Sequence, residues 1–257
     1  MSKAKTGTKE WSQASYNIAR GCSHDCLYCY ARANAARFKQ VLPAKWANQC
    51  LLDKPPKIPC HGQTVMFPTT HDITPLFLNA SVKAIRTLLD SDNRVLIVSK
   101  PHFTCIQALA GDFQAQRDRI MFRFTIGAWD DAILKYWEPG APAFGERLAS
   151  LRLAQRMGYR TSVSIEPMLD LPRVSLLVDL LDPFVTRTIW IGVMNKIAQR
   201  MHCVTAKDWE MRSRIEAQST SQALLPIYNE LSGNPKIRWK ESITTLLGLP
   251  PSQDDWD

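Results

Sequence analysis

The stretch Gly21-Cys22-Ser23-His24-Asp25-Cys26-Leu27-Tyr28-Cys29-Tyr30-Ala31-Arg32 sets three cysteines at C-x3-C-x2-C spacing, between a predicted strand, Ser15–Ala19, and a predicted helix, Tyr30–Gln40. Thiolates are soft ligands that suit zinc and iron–sulfur clusters. Structural zinc takes four protein ligands, and only three cysteines are local here. His24 could complete a zinc site, but it is squeezed between two of the cysteines in a tight loop. Three ligands on a four-iron cluster leave one iron open, and an open position is where a metal site does chemistry.

Outward from this loop, short apolar and often β-branched runs alternate with helical stretches. The further strand candidates are Thr64–Phe67, Arg94–Val98, Ile120–Ile126, Arg160–Ile165 and Thr188–Val193. The helix candidates between them are Pro75–Leu89, Thr104–Arg117, Ala143–Met157 and Leu171–Leu180. Thr74 before Pro75 reads as an N-cap with proline at the first helical position. Gly158 reads as a stop for the stripe Leu148, Leu151, Ala154, Met157. Alternation of strand and helix means parallel strands joined by right-handed crossovers. Six such units fit an α/β fold with a curved, partly closed barrel; a flat doubly wound sheet has the same periodicity. In either, ligands sit at the carboxyl ends of the strands. The pattern changes after residue 195, so 1–195 is expected to be the core and 196–257 a C-terminal extension. Lys196–Lys240 carries eight Lys/Arg against four Asp/Glu, includes Trp209 and Trp239, and holds a helix candidate at Gln222–Leu231. This extension is expected to pack on the barrel as a cap.

The 257-residue chain has 32 Lys and Arg against 24 Asp and Glu, a formal charge of +8 that favours a polyanionic partner such as nucleic acid. Met1–Ser12 is polar, with no apolar core of a signal peptide. No run approaches the ~18 apolar residues of a membrane span. A cytoplasmic location away from the membrane is expected. Seven cysteines is an odd count, which argues against a disulfide framework. Cys50, Cys60, Cys105 and Cys203 are scattered and read as small buried hydrophobes.

The cysteine loop resembles that of the radical-SAM superfamily, whose pattern is C-x3-C-x-aromatic-C, with Tyr28 in the aromatic place. Asn17-Ile18-Ala19-Arg20-Gly21-Cys22-Ser23-His24-Asp25-Cys26 further resembles the branch of spore photoproduct lyase and its DNA-photolyase-like relatives. So does Glu138-Pro139-Gly140-Ala141-Pro142 followed by Glu146-Arg147-Leu148, and the similarity covers roughly residues 11 to 195. The resemblance implies a partial (β/α)6 barrel with a [4Fe–4S] cluster on Cys22, Cys26 and Cys29. It also implies S-adenosylmethionine chelated by the open iron and cleaved to a 5′-deoxyadenosyl radical, and a reducing partner such as flavodoxin or ferredoxin. Around that cofactor it places Tyr28, the hydroxyl pair Thr69-Thr70, Lys100 toward the methionyl carboxylate, and Thr125 near the ribose. Glu166 and Asn195 follow the fifth and sixth strands, and either is a candidate for cofactor or substrate. The lyases carry a hydrogen-donating cysteine immediately before the hydroxyl pair, where this chain has Pro68.

The expected function is therefore hydrogen abstraction from a nucleic-acid or nucleotide-derived substrate, by base modification or lyase-type repair, with no catalytic residue assigned. One alternative is radical modification of a peptide or small metabolite. Such peptide modifiers often carry auxiliary clusters on extra C-terminal cysteines, and only Cys203 lies beyond residue 105. The other alternative is a nucleic-acid-binding module with a structural metal, which zinc without iron would mark.

Overall fold

The computed structural model describes residues 6–54, 56–253 and 256. The first five residues of the polar Met1–Ser12 stretch lie outside the described residues. Among the described residues nine strands form: β1 (Ala14–Ser15), β2 (Ala19–Arg20), β3 (Cys50–Leu51), β4 (Thr64–Phe67), β5 (Arg94–Ser99), β6 (Ile120–Thr125), β7 (Arg160–Ile165), β8 (Ile189–Ile191) and β9 (Ile237–Trp239). The helices are α1 (Tyr30–Arg37), α2 (Leu78–Asp90), α3 (Phe103–Asp112), α4 (Asp131–Trp137), α5 (Phe144–Arg156), α6 (Val174–Leu181), α7 (Ile197–Arg200), α8 (Ala206–Gln218), α9 (Ser221–Leu231) and α10 (Glu241–Leu247).

Seven strands make one sheet in the order β1-β4-β5-β6-β7-β8-β9, every pair parallel. The order runs strictly along the chain. A doubly wound sheet needs a reversal of strand order, so the flat alternative is removed. With right-handed crossovers throughout, the helices fall on one face and the sheet curves around the other. β1 and β9 are its two edges, so the barrel is open.

Side-chain alternation sorts the two faces. Val65, Phe67, Val95, Ile97, Phe122, Phe124, Val163, Ile165, Ile189 and Ile191 join the helices in the main core. The concave face carries Met66, Leu96, Val98, Met121 and Trp190, packed with Trp11 and Trp256 as a separate cluster. Arg123 is buried among them, its guanidinium 4.7 Å from the Trp11 ring centroid and 5.6 Å from that of Trp190. It donates to Ser162 Oγ (2.9 Å) and Thr188 Oγ1 (3.3 Å), so the charge is solvated inside the barrel. This packed inner layer is the floor on which a site can sit.

Several expectations are corrected. The predicted strand Ser15–Ala19 is split: β1 pairs with β4, whereas β2 turns away to pair antiparallel with β3. The helix predicted to Arg117 stops at Asp112, and Gln114–Arg119 is a 3-10 turn. α1 ends at Arg37, before Lys39 at φ +53°. β9, unforeseen, adds a seventh strand from beyond residue 195. α8 was also unforeseen, although Thr205 and Asp208 write a capping box at its start. Cys105 is buried as expected, but Cys50 and Cys60 are exposed and Cys203 is intermediate. No helix among the described residues is long and apolar enough to cross a membrane.

Candidate functional site

A cavity of about 500 Å³ opens at the carboxyl ends of the strands, above the Trp11, Met66 and Val98 floor. That is the size range of small-molecule and cofactor sites. The three cysteines, Tyr28, Thr69, Thr70, Lys100, Thr125, Glu166 and Asn195 all line it. The structure thus brings every residue singled out from sequence to one concavity, from five different strand ends and the cysteine loop.

The loop owes its shape to close backbone approaches. Gly21 has φ +81°, and a Cβ there would lie 2.6 Å from the Trp46 carbonyl oxygen, which accepts the Cys22 N–H at 2.9 Å. Cys29 caps α1, its sulfur accepting the Arg32 N–H at 3.4 Å. Arg32 reaches back to Asp25 Oδ1 (2.9 Å) and to the Leu27 carbonyl oxygen (2.9 Å), tying the helix to the loop it follows.

The second stretch quoted above, Glu138–Pro142, is the buttress of this loop. A Cβ on Gly140 would stand 2.2 Å from the Ser23 carbonyl oxygen, and the Gly140 N–H donates to the His24 carbonyl at 3.0 Å. Leu27 N–H donates to the Trp137 carbonyl at 2.9 Å. The Tyr28 hydroxyl donates to Glu138 Oε1, and Glu138 is paired with Arg147 at 2.5 Å, both side chains fully buried. Burial alone would raise the Glu138 pKa, but Arg147 and Lys100 outweigh it and hold the carboxyl below its ordinary value. Arg147 also donates to the carbonyls of Pro142 (2.8 Å) and Thr125 (3.2 Å).

Asp72 is the hub that sequence reading missed. Its Oδ1 accepts from Ser99 Oγ (2.9 Å) and the Lys100 N–H (2.8 Å). Its Oδ2 lies 2.8 Å from His24 Nδ1, 3.7 Å from Lys100 Nζ and 3.8 Å from the Cys22 thiol. Burial opposes charge on both partners, yet the Lys100 ammonium and His24 hold Asp72 well below the carboxylate range. Asp72 and the surrounding thiols in turn outweigh burial and keep Lys100 strongly basic. His24 is thereby occupied, with its Nε2 2.9 Å from His102 Nε2. Asn17 holds the hydroxyl pair: its Oδ1 accepts the Thr69 and Thr70 N–H groups (2.8 and 2.9 Å), and its Nδ2 donates to Thr69 Oγ1 (2.7 Å). On the far wall, Lys240 Nζ meets Glu10 Oε2 at 2.5 Å and Glu166 Oε2 at 3.4 Å. Burial raises the Glu166 pKa, with Lys240 partly offsetting it.

The donor set fits a multi-iron cluster better than a single ion. Tetrahedral zinc at ~2.3 Å from its thiolates holds them about 3.8 Å apart. The three thiols together do not come within 4.8 Å of one another; among the described residues, Cys22, His24 and Asp72 do. A dication in that second set would face Lys100, and Asp72 is already engaged by four donors. Burial pushes the Cys22 thiol up to about 12 and raises Cys26 and Cys29 as well, so metal loading must displace protons from all three.

No family model matches the chain. An uncharacterized protein of Acidianus two-tailed virus is 25% identical over 166 residues, a stretch that spans 59% of this chain and 54% of the viral protein. The chain therefore covers about half the length of that curated relative. Three solved structures of single-substitution variants of spore photoproduct lyase superpose with TM-scores of 0.57, 0.54 and 0.51, each at 15% identity. The first two cover 93% of this chain and 79% of theirs, and the third covers 88% and 75%. The chain therefore shares the fold of spore photoproduct lyase.

Proposed function

We propose that this chain is a radical S-adenosylmethionine enzyme acting on a nucleic-acid or nucleotide-derived substrate, by base modification or lyase-type repair. The observation that carries it is the convergence of three free thiols and Lys100 on one wall of the cavity, at the carboxyl end of a sequentially ordered parallel sheet.

Cys22, Cys26 and Cys29 would hold a [4Fe–4S] cluster. Such a cluster would supply the electron that cleaves bound S-adenosylmethionine to methionine and a hydrogen-abstracting 5′-deoxyadenosyl radical. The Lys100 ammonium, in an ion pair with Asp72 at 3.7 Å, has three N–H donors to offer the methionyl carboxylate. The Thr69 hydroxyl accepts one bond from Asn17 and keeps a lone pair and its O–H for the amino end, with Thr70 beside it. Thr125 and Ser164 are paired in register across β6 and β7 and offer two hydroxyls from the cavity floor for the ribose. Glu166 and Asn195 stand where either cofactor or substrate would meet them. Tyr28, pinned to Glu138, closes the wall behind Lys100, whose ammonium is 5.8 Å from its ring centroid. The low-dielectric floor excludes water from the radical. A one-electron carrier of the flavodoxin or ferredoxin class would reduce the cluster. The charge of +8 supports a polyanionic substrate.

The test is anaerobic reconstitution followed by product analysis with DNA, RNA and nucleotides. The expected result is about four iron per chain, 5′-deoxyadenosine formation, and label transfer between a nucleic-acid substrate and 5′-deoxyadenosine. Zinc without iron, or full iron occupancy in a triple cysteine-to-alanine variant, refutes the cluster. Label transfer from a peptide or metabolite alone refutes the substrate class.

A further inference from the structure

Four cationic side chains line the cavity: Lys9, Lys100, Arg200 and Lys240. Two are committed to the protein. Lys100 is held by Asp72, and Lys240 by Glu10 and Glu166. The side chains of Arg200 and Lys9 make no hydrogen bond or ion pair among the described residues. Lys9 is exposed on the segment leading to Trp11, so its freedom costs little. Arg200 differs, because it is half-buried and a guanidinium cannot shed its charge. Burial lowers its pKa, while Cys29, Glu166 and Tyr30 lie within electrostatic reach and oppose that shift.

The chain spends conformational energy to put Arg200 there. Lys196 takes φ +55°, a left-handed turn that a lysine adopts at a cost of about 1 kcal/mol or more. The turn starts α7 so that Ile197 is buried and Arg200, three residues on, faces the same side and reaches the cavity. In the sheet, the strand before α7 is separated from the Lys100 strand by β6 and β7, and Arg200 enters the cavity within electrostatic reach of Cys29, Tyr30 and Glu166. Glu166, within electrostatic reach of Arg200, shares the Lys240 ammonium with Glu10.

We infer that Arg200 is a phosphate subsite that grips a phosphoryl group of the substrate. The planar fork of a guanidinium matches two phosphate oxygens at once, which would orient the nucleotide as well as hold it. This rests on the proposed nucleic-acid or nucleotide substrate and names the residue that would read it.

The experiment uses the anaerobically reconstituted protein and a fluorescein-labelled single-stranded oligothymidylate, with binding followed by anisotropy across a salt series. Thymidine monophosphate and thymidine compete in parallel. Arg200→Gln should weaken oligonucleotide binding about tenfold or more and reduce the slope of log affinity against log salt by about 0.7, one phosphate contact on a single strand. Arg200→Lys should keep the slope and lose part of the affinity. Thymidine monophosphate should outcompete thymidine in the wild type and lose that advantage in Arg200→Gln; calorimetric binding of the monophosphate by a wild type that does not bind the oligonucleotide assigns the subsite to a phosphate monoester. If the wild type binds with a steep salt dependence and Arg200→Gln matches it in affinity and slope, the subsite is wrong while the function stands. If Arg200→Gln loses affinity for S-adenosylmethionine instead, Arg200 belongs to the cofactor. If the wild type binds neither polymer nor mononucleotide, both the subsite and the proposed substrate class fall.

Discussion

Replacing Glu138 with Gln keeps the shape of the side chain and removes one buried charge. The Arg147 guanidinium would then remain in the interior without its counter-ion, both side chains being fully buried in the native protein. Breaking such a pair from one side costs about 3–5 kcal/mol. Gln can still accept from Tyr28 and donate nothing useful to Arg147, so the lower half of that range, about 3 kcal/mol, is expected. For a domain of this length each kcal/mol moves the thermal midpoint by about 2–4 °C, which puts Glu138→Gln roughly 6–12 °C below wild type at neutral pH. The pH dependence has a definite sign. The folded Glu138 carboxyl is held below its ordinary value by Arg147 and Lys100, after burial is overcome. Its contribution is therefore fully present above the unfolded glutamate value of about 4.3, and fades as pH falls through the lowered folded value. The gap between variant and wild type should narrow in acid. The assay is thermal and urea unfolding of metal-free protein between neutral pH and about pH 2, with Glu138→Gln/Arg147→Met beside the single variants. The double variant removes both charges and should recover part of the loss. A Glu138→Gln midpoint within about 2 °C of wild type, with no coupling to Arg147, would show that the pair is not what supports the cysteine loop.

Two further outcomes are expected. Because burial raises the pKa of all three loop thiols, mass spectrometry of metal-free protein treated with iodoacetamide near neutral pH should find the exposed Cys50 and Cys60 alkylated well before Cys22, Cys26 and Cys29; prompt labelling of Cys26 contradicts this. Lys100→Ala should weaken binding of S-adenosylmethionine about tenfold or more by calorimetry, and unchanged affinity removes Lys100 from the cofactor site.

What the sequence revealed follows the range over which the physics acts. β4 to β8 were legible because strands buried on both faces read as continuous runs such as Val95-Leu96-Ile97-Val98 and Ile120-Met121-Phe122. The cysteine loop was legible because thiol spacing is itself a chemical statement. Asp72 was not legible, since a single aspartate after a strand has no local signature. Its role comes from His24, Ser99 and Lys100, which lie 48, 27 and 28 residues away along the chain. The same holds for Tyr28 and Glu138, which are 110 residues apart. The exposure of Cys50 and Cys60 was misjudged because they lie in the irregular excursion between α1 and β4, where no periodicity assigns a face. β9 was missed because Ile237-Arg238-Trp239 is only three residues long and looks like any turn between helices.

That short strand changes what the residues after 195 are for. β9 hydrogen-bonds to β8 and delivers Lys240 at its carboxyl end, which is where ligands sit in this class of sheet. Lys240 is almost fully buried and meets Glu10 from the first turn of the described chain, Glu166 from the end of β7, and the Gly7 carbonyl at 3.0 Å. Its ammonium also sits 3.9 Å from the Trp11 ring centroid. A buried lysine with two carboxylates and an aromatic face is compensated only while all three elements are in place. The start of the described chain, the middle of the sheet and the last strand therefore depend on one charge. Gly192 allows it: a Cβ there would lie within 2.9 Å of the Lys240 side chain. The far wall of the cavity, with Glu166, the floor residue Trp11 and the approach to Arg200, is thus built by residues from both sides of position 195. A cut at that position would leave Glu10 and Glu166 facing each other without the cation that now separates them.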